Sequence, residues 1–190
     1  MIIGIPGEIK DKEDRVAATP ESVKAFCDLH HRVIVEASAG AGSGIADEDY
    51  AKAGGEITRF KAELFAQADM ILKVREPLPS EYGLLREDQI LFAFILPARN
   101  RELTDVLINR KTVTIAYEGV QTDDGSYPIL AAMSRIAGKM SVLIGAQYLQ
   151  RTHGGRGILM ASVPGAKPPG VMILGGGVVG TNAAITALAL

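Results

Sequence analysis

Tryptophan is absent from the 190-residue sequence, and cysteine occurs once. With Cys27 alone there is no internal disulfide, which fits a reducing compartment. Its apolar helical surroundings read as a buried core thiol rather than a nucleophile. No long basic run occurs, and 20 basic residues face 22 acidic ones for a net charge of −2. Nucleic acid and anionic membranes are therefore not expected partners. The opening Met-Ile-Ile-Gly-Ile-Pro has no basic segment followed by a long apolar one. No secretory leader is read there, and the cytoplasm is the expected compartment. Residues 171–190 carry no charge, yet glycine, threonine and asparagine interrupt them around a turn pattern. They are not read as a membrane span. No internal repeat is found and no metal site is assigned.

What is present is an ordinary globular composition, 47% hydrophobic and 22% charged, with length for one full domain and part of another. From residue 1 to 120, short apolar runs alternate with helical patterns. Strands are expected at residues 2–5, 33–36, 56–58, 70–74, 90–95 and 112–116, with 90–95 at the sheet centre. Helices are expected after the cap Thr19 with Pro20 at the first position, at 47–53, at 62–68, and after the cap Asn100. His30 and His31 fall at a helix end, where positive charge suits the dipole. The glycine-rich 39–44 stretch lacks the lysine and hydroxyl of a phosphate loop. Alternation of this kind predicts a mostly parallel α/β sheet, whose ligands gather outside the strands' carboxyl ends. Asp123-Asp-Gly-Ser126 is a polar turn, and a long helix follows over about 129–150. The segments 153–157 and 164–170 read as loops around a weak strand at 158–160.

The pattern richest in chemistry is Val171-Met-Ile-Leu-Gly-Gly-Gly-Val-Val-Gly180, a strand pattern running into a helical one. Gly175, Gly177 and Gly180 have the G-x-G-x-x-G spacing. In a dinucleotide site the first glycine makes the turn, the second admits a pyrophosphate and the third lets helix and strand close up. The helix start turns its unpaired N–H groups toward the phosphates. The acid that would bind the ribose lies roughly 20 residues on in such folds. It would fall beyond Leu190, as would the later strands of that domain.

Several further stretches carry a resemblance. They are Ile3-Gly-Ile-Pro-Gly-Glu-Ile-Lys10, Glu13-Asp-Arg-Val-Ala-Ala-Thr-Pro20, Ala68-Asp-Met-Ile-Leu-Lys-Val-Arg-Glu-Pro77, Ala116-Tyr-Glu-Gly-Val-Gln121, Met133-Ser-Arg-Ile-Ala-Gly138, Gly154-Gly-Arg-Gly-Ile-Leu-Met160 and the glycine loop itself. Together they resemble the alanine dehydrogenase and transhydrogenase nucleotide-subunit family, along the whole chain. The resemblance implies a Rossmann-like parallel-sheet substrate domain over residues 1–128. A connecting helix and the incomplete start of an NAD-binding Rossmann domain would follow over 129–190. It also implies NAD-linked, reversible deamination of L-alanine to pyruvate and ammonia, and a homo-oligomer.

Residue by residue, the resemblance gives Arg15 the substrate carboxylate, a task suited to a guanidinium fork. It gives Ser134 a cofactor contact, and Gly175, Gly177, Val178, Val179 and Gly180 the pyrophosphate. Two positions depart from the family. Arg75 stands where a lysine contacts the substrate, and Lys73, on the same strand face, could not simply take over. Leu96 stands where the acid–base histidine would be, so no catalytic set is intact. A further catalytic aspartate would lie beyond residue 190. Gly7 is a smaller anomaly. The expected function is that of a truncated, inactive alanine dehydrogenase homologue, with NAD as the family's cofactor and its binding here expected to be weak or absent. Phe94-Ile-Leu-Pro-Ala-Arg-Asn100 favours an alternative, transhydrogenase-like NAD binding. A non-catalytic interaction protein is the other alternative.

Overall fold

The computed structural model describes residues 1–167 and 169–190. Packing divides the chain into two compact units, Met1–Val120 and Gln121–Leu190.

The first unit is organised by six parallel strands. They are β1 (Ile2–Ile5), β2 (Arg32–Glu36), β3 (Glu56–Thr58), β4 (Met70–Leu72), β5 (Ile90–Ala93) and β6 (Val113–Ala116), in the order β3-β2-β1-β4-β5-β6. Helices α1 (Pro20–Asp28), α2 (Asp47–Lys52), α3 (Lys61–Gln67), α4 (Pro79–Tyr82) and α5 (Arg101–Asn109) lie between them in the chain. The apolar runs form parallel strands because both faces are covered: Ile5, Val33, Val35, Ile71, Leu91 and Ala93 are all buried. Leu64, Phe65 and Leu103 close the core from the helices. The buried Gln89 side-chain amide donates to the Phe65 and Ala68 carbonyls, both at 2.8 Å, tying the end of α3 to the approach to β5.

Both expected helix caps form. Thr19 Oγ1 accepts the Ser22 N–H at 3.4 Å and Asn100 Oδ1 the Leu103 N–H at 3.1 Å. Two readings of this unit need correction, and one helix had no sequence pattern. The sheet centre is the β1–β4 pair, and β5 lies one strand in from the edge, because hydrophobicity reports burial rather than rank order. The helix α4 is a single turn, Pro79-Ser-Glu-Tyr82, too brief for a periodic pattern. Cys27 is half-buried, its Sγ 3.5 Å from the Gly54 carbonyl.

The second unit holds two longer helices, α6 (Pro128–Leu149) and α7 (Val178–Leu188), packed against each other. Their approach requires Gly138. A Cβ there would sit 2.3 Å from the Val179 carbonyl oxygen and 2.9 Å from Asn182 Cβ. The helix half of the expected βα turn is therefore present. Residues 171–174 form no strand, nor do 158–160. Met172 and Leu174 are 86% and 91% exposed. A strand is completed by a neighbour's ladder, and no described residue supplies one here. The loop read at 164–170 includes residue 168, which lies outside the described residues.

Candidate functional site

In the first unit the chemistry gathers at the sheet's carboxyl edge. Strand order reverses between β1 and β4, so the loops leaving those two strands meet at a topological switch point. Open α/β sheets bind ligands there. The loop after β1 carries Glu8, Glu13 and Arg15; the residues after β4 carry Lys73, Arg75 and Glu76.

Arg15 presents its fork to a carboxylate of its own chain. Its Nε donates to Glu13 Oε1 and its Nη2 to Glu13 Oε2, both at 2.6 Å. Those bonds hold the Glu13 carboxyl below the usual carboxylate range, against the effect of burial and with help from the Arg75 charge. Arg75 acts on the same carboxylate, so the two arginines singled out from the sequence share one neighbourhood. Arg75 Nε lies 3.2 Å from Glu76 Oε2, and Lys10 Nζ lies 2.5 Å from Glu76 Oε1. Burial works against ionisation at Glu76, but Lys10, a backbone N–H and Arg75 together outweigh it and lower its pKa.

Lys73 does not share a ligand-facing position with Arg75. Ladder bonds continue past β4 only through Lys73 N–H to the Phe92 carbonyl and Phe94 N–H to that of Val74. The Lys73 side chain is wholly buried between Glu8 and Glu81. These buried charges were missed in the sequence. A lysine inside the apolar run Met70-Ile-Leu-Lys-Val74 was the available signal, since a buried ammonium demands acid partners.

Leu96 lies just past β5 in a left-handed conformation, φ 47° and ψ 56°. Glu118 caps the turn, accepting the Leu96 N–H at 2.6 Å and the Ile95 N–H at 3.4 Å. The leucine side chain has no proton to exchange. Tyr117, at the end of β6, is wedged edge-on against Phe92 and Phe94 with ring centroids 4.4 and 5.1 Å away. Burial pushes its hydroxyl pKa well up, and the Glu8 charge adds to this.

In the second unit a cavity of about 560 Å³ is lined by Ser134, Gly175, Gly177, Val178, Val179 and Gly180, among others. Gly138 lets α6 lie against the first turn of α7. Ser134, one turn earlier on α6, thereby comes beside the glycine loop. All six cofactor-site residues named from the sequence thus meet in one cavity. The glycines differ in their constraints. A Cβ at Gly180 would sit 1.9 Å from the Gly175 carbonyl oxygen, whereas nothing lies within 4 Å of one at Gly177. Gly175 itself has φ +102°, a conformation natural to glycine. Gly177 caps α7, and the first helical bond runs from Thr181 N–H to the Gly177 carbonyl. The preceding N–H groups have no partner in the helix. A tight turn, an open second glycine and unpaired N–H groups fit the pyrophosphate of a dinucleotide.

Comparison with known proteins gives two family matches. The alanine dehydrogenase/PNT N-terminal domain matches residues 4–137, and the corresponding C-terminal domain matches residues 141–190. The chain belongs to the alanine dehydrogenase/PNT family. The alanine dehydrogenase of Methanococcus maripaludis is 50% identical over 190 residues, all of this chain and 51% of that protein. A solved L-alanine dehydrogenase superposes with a TM-score of 0.93 at 46% identity, covering 100% of this chain and 52% of the other. Transhydrogenase from Sinorhizobium meliloti superposes at 0.78 with 32% identity, covering 100% and 54%. The chain therefore spans about half the length of the alanine dehydrogenases it matches.

Proposed function

We propose that this chain is an alanine dehydrogenase homologue whose first unit binds a small-molecule carboxylate and whose second unit binds the pyrophosphate of NAD, and that by itself it does not turn over. The carrying observation is the cavity that joins Ser134 to the glycine loop at the start of α7. The chain's 50% identity to an alanine dehydrogenase over its whole length supports the same reading.

In this reading Gly175, Gly177, Val178, Val179 and Gly180 hold the pyrophosphate of NAD, with N–H donors at the head of α7 and Ser134 across the cavity. When bound, the nicotinamide would take the hydride from the alanine Cα. Arg15 binds the carboxylate of L-alanine or pyruvate, exchanging its intramolecular partner Glu13 for the ligand. Arg75 places a second positive charge nearby, where the family has a lysine. Leu96 supplies no acid or base. General acid–base work is worth about 10²- to 10⁴-fold, so its loss alone is severe. Residues 1–128 form the substrate part and 129–190 the connection and cofactor part. Homo-oligomer assembly and a cytoplasmic setting belong to the same reading.

The test mixes the purified chain with alanine and NAD and follows absorbance of the reduced cofactor. The expected trace matches a no-protein control, for wild type and for Leu96→His alike. Turnover by the wild-type chain would overturn the proposal. A second reading, NAD binding without alanine as on the transhydrogenase branch, is favoured by Leu96 followed by Pro97 in place of a proton carrier. Calorimetry separates the two: heat with NAD but none with pyruvate selects the second.

A further inference from the structure

Strands β1 and β4 pair only through Ile3 with Met70 and Gly4 with Ile71. Beyond that point the chains separate, and the N–H groups of Val74 and Arg75 lie past the last ladder bond between these strands. Part-buried donors that have left the ladder need an acceptor from elsewhere. Glu8 supplies it. Its Oε1 accepts the Val74 N–H at 2.6 Å and the Arg75 N–H at 3.4 Å.

The carboxylate is itself fixed from the other side. Glu8 Oε2 lies 3.4 Å from Lys73 Nζ, and the two side chains are 3% and 0% exposed. Lys73 Nζ also donates to Glu81 Oε1 at 3.1 Å. That oxygen faces Lys61 Nζ at 3.3 Å, while Glu81 Oε2 accepts the Leu78 N–H at 3.2 Å. Lys61 Nζ further reaches the Gly7 carbonyl at 3.1 Å and Glu36 Oε2 at 3.4 Å. Glu36 closes the circuit by accepting the Gly7 N–H at 2.7 Å. Three carboxylates and two ammonium groups thus clamp the loops after β1, β2 and β4 to one another. Balancing the Lys73 charge requires only Glu81. The two backbone bonds made by Glu8 are additional, and they fall on Val74 and on Arg75, whose charge acts on Glu13 beside Arg15.

We propose that Glu8 is a positioning residue that fixes the Arg75 guanidinium at the sheet's switch point by holding the backbone N–H groups of Val74 and Arg75. Its effect on a ligand carboxylate rests on the functional reading above; its hold on Arg75 does not. The charged and titratable groups facing Glu8 are Lys73, the Arg15 guanidinium, whose charge Glu8 stabilises, and the Tyr117 hydroxyl. Burial raises the Glu8 pKa, against Lys73 and the two N–H bonds, which lower it. Glu8 therefore loses its charge at a higher pH than an unperturbed glutamate, and the grip on both amides loosens.

The test uses the full chain labelled with nitrogen-15. In the wild type, the Val74 and Arg75 amide shifts should titrate together, with a midpoint above that of an ordinary glutamate. In Glu8→Gln both traces should be flat and both amides should exchange with solvent faster, while amides of α5 and α7 keep their protection. Glu8→Asp should restore a shared titration. Pyruvate added to the same samples should bind about tenfold more weakly to Glu8→Gln, the loss expected when charge-assisted hydrogen bonds go. Its wild-type affinity should fall as the two amides titrate. Amides that do not titrate in the wild type, or that still titrate in Glu8→Gln, overturn the proposal. If Glu8→Gln fails to fold, the wild-type titration and Glu8→Asp decide. Titrating amides in a protein that ignores pyruvate would support the hold on Arg75 and refute the carboxylate reading instead.

Discussion

Leu96 and Glu13 show what single residues reveal here. A leucine in the left-handed region costs roughly 1–2 kcal/mol, and such strain clusters where function once fixed the backbone. The turn survives because Glu118 grips the Ile95 and Leu96 N–H groups, not because the side chain favours it. Asparagine tolerates this conformation, so Leu96→Asn should raise the melting temperature by a few degrees. A thermal scan showing no rise, or a fall, would mean that leucine packing offsets the strain. Glu13 titrates below its usual value because Arg15 donates two hydrogen bonds to it. With the folded pKa depressed, the stability it contributes is complete above the unfolded value of about 4.5. That contribution is lost as pH falls through the folded value. Carbon-13 shifts of the Glu13 carboxyl should show a midpoint below that of free glutamate. Arg15→Lys, which lacks the fork, should move it back upward.

At the scale of elements, local chemistry made much of the structure legible. Thr19 and Asn100 announced their helices because capping is a contact over three residues. The apolar runs announced strands because both faces of this sheet are covered. The glycine spacing announced a turn, and the turn is there with Ser134 beside it. What was not legible depends on distant partners. Residues 171–174 have a strand's composition but no ladder, and composition cannot supply a neighbour. Lys73 looked like a neighbour of Arg75 on a strand face, yet it is buried between Glu81 of α4 and Glu8, which the distant loop after β1 supplies. The glycine loop offers a paired test. Gly180→Ala places a methyl group against the Gly175 carbonyl and should destabilise α7. Gly177→Ala meets nothing and should leave helix content intact while weakening NAD binding at the approach a pyrophosphate needs. Circular dichroism and calorimetry on the two variants should give opposite patterns. Equal loss of helix in both would show that the loop's glycines are all structural.

Across the whole molecule the unresolved balance is apolar exposure. Ile136, Met140, Leu143, Ile144 and Tyr148 recur at helical spacing on α6, and each is 44–66% exposed. A monomer rarely leaves a continuous apolar patch beyond a few hundred Å² uncovered. By length and composition α6 could cross a membrane, but Arg135 and Lys139 sit within it. A charge at a bilayer centre costs about 2.5–3.5 kcal/mol on insertion scales. Association with protein is the less costly outcome, and a second copy is always at hand. Sedimentation velocity should therefore show a mass that grows with concentration. Met140→Lys with Leu143→Glu should shift the chain toward monomer and lower its binding of a hydrophobic dye. The melting of the first unit should stay unchanged, since neither residue belongs to its core. If the wild-type chain sediments as a monomer at every concentration and binds no dye, self-association through this face is wrong. The exposed stripe would then need a different cover.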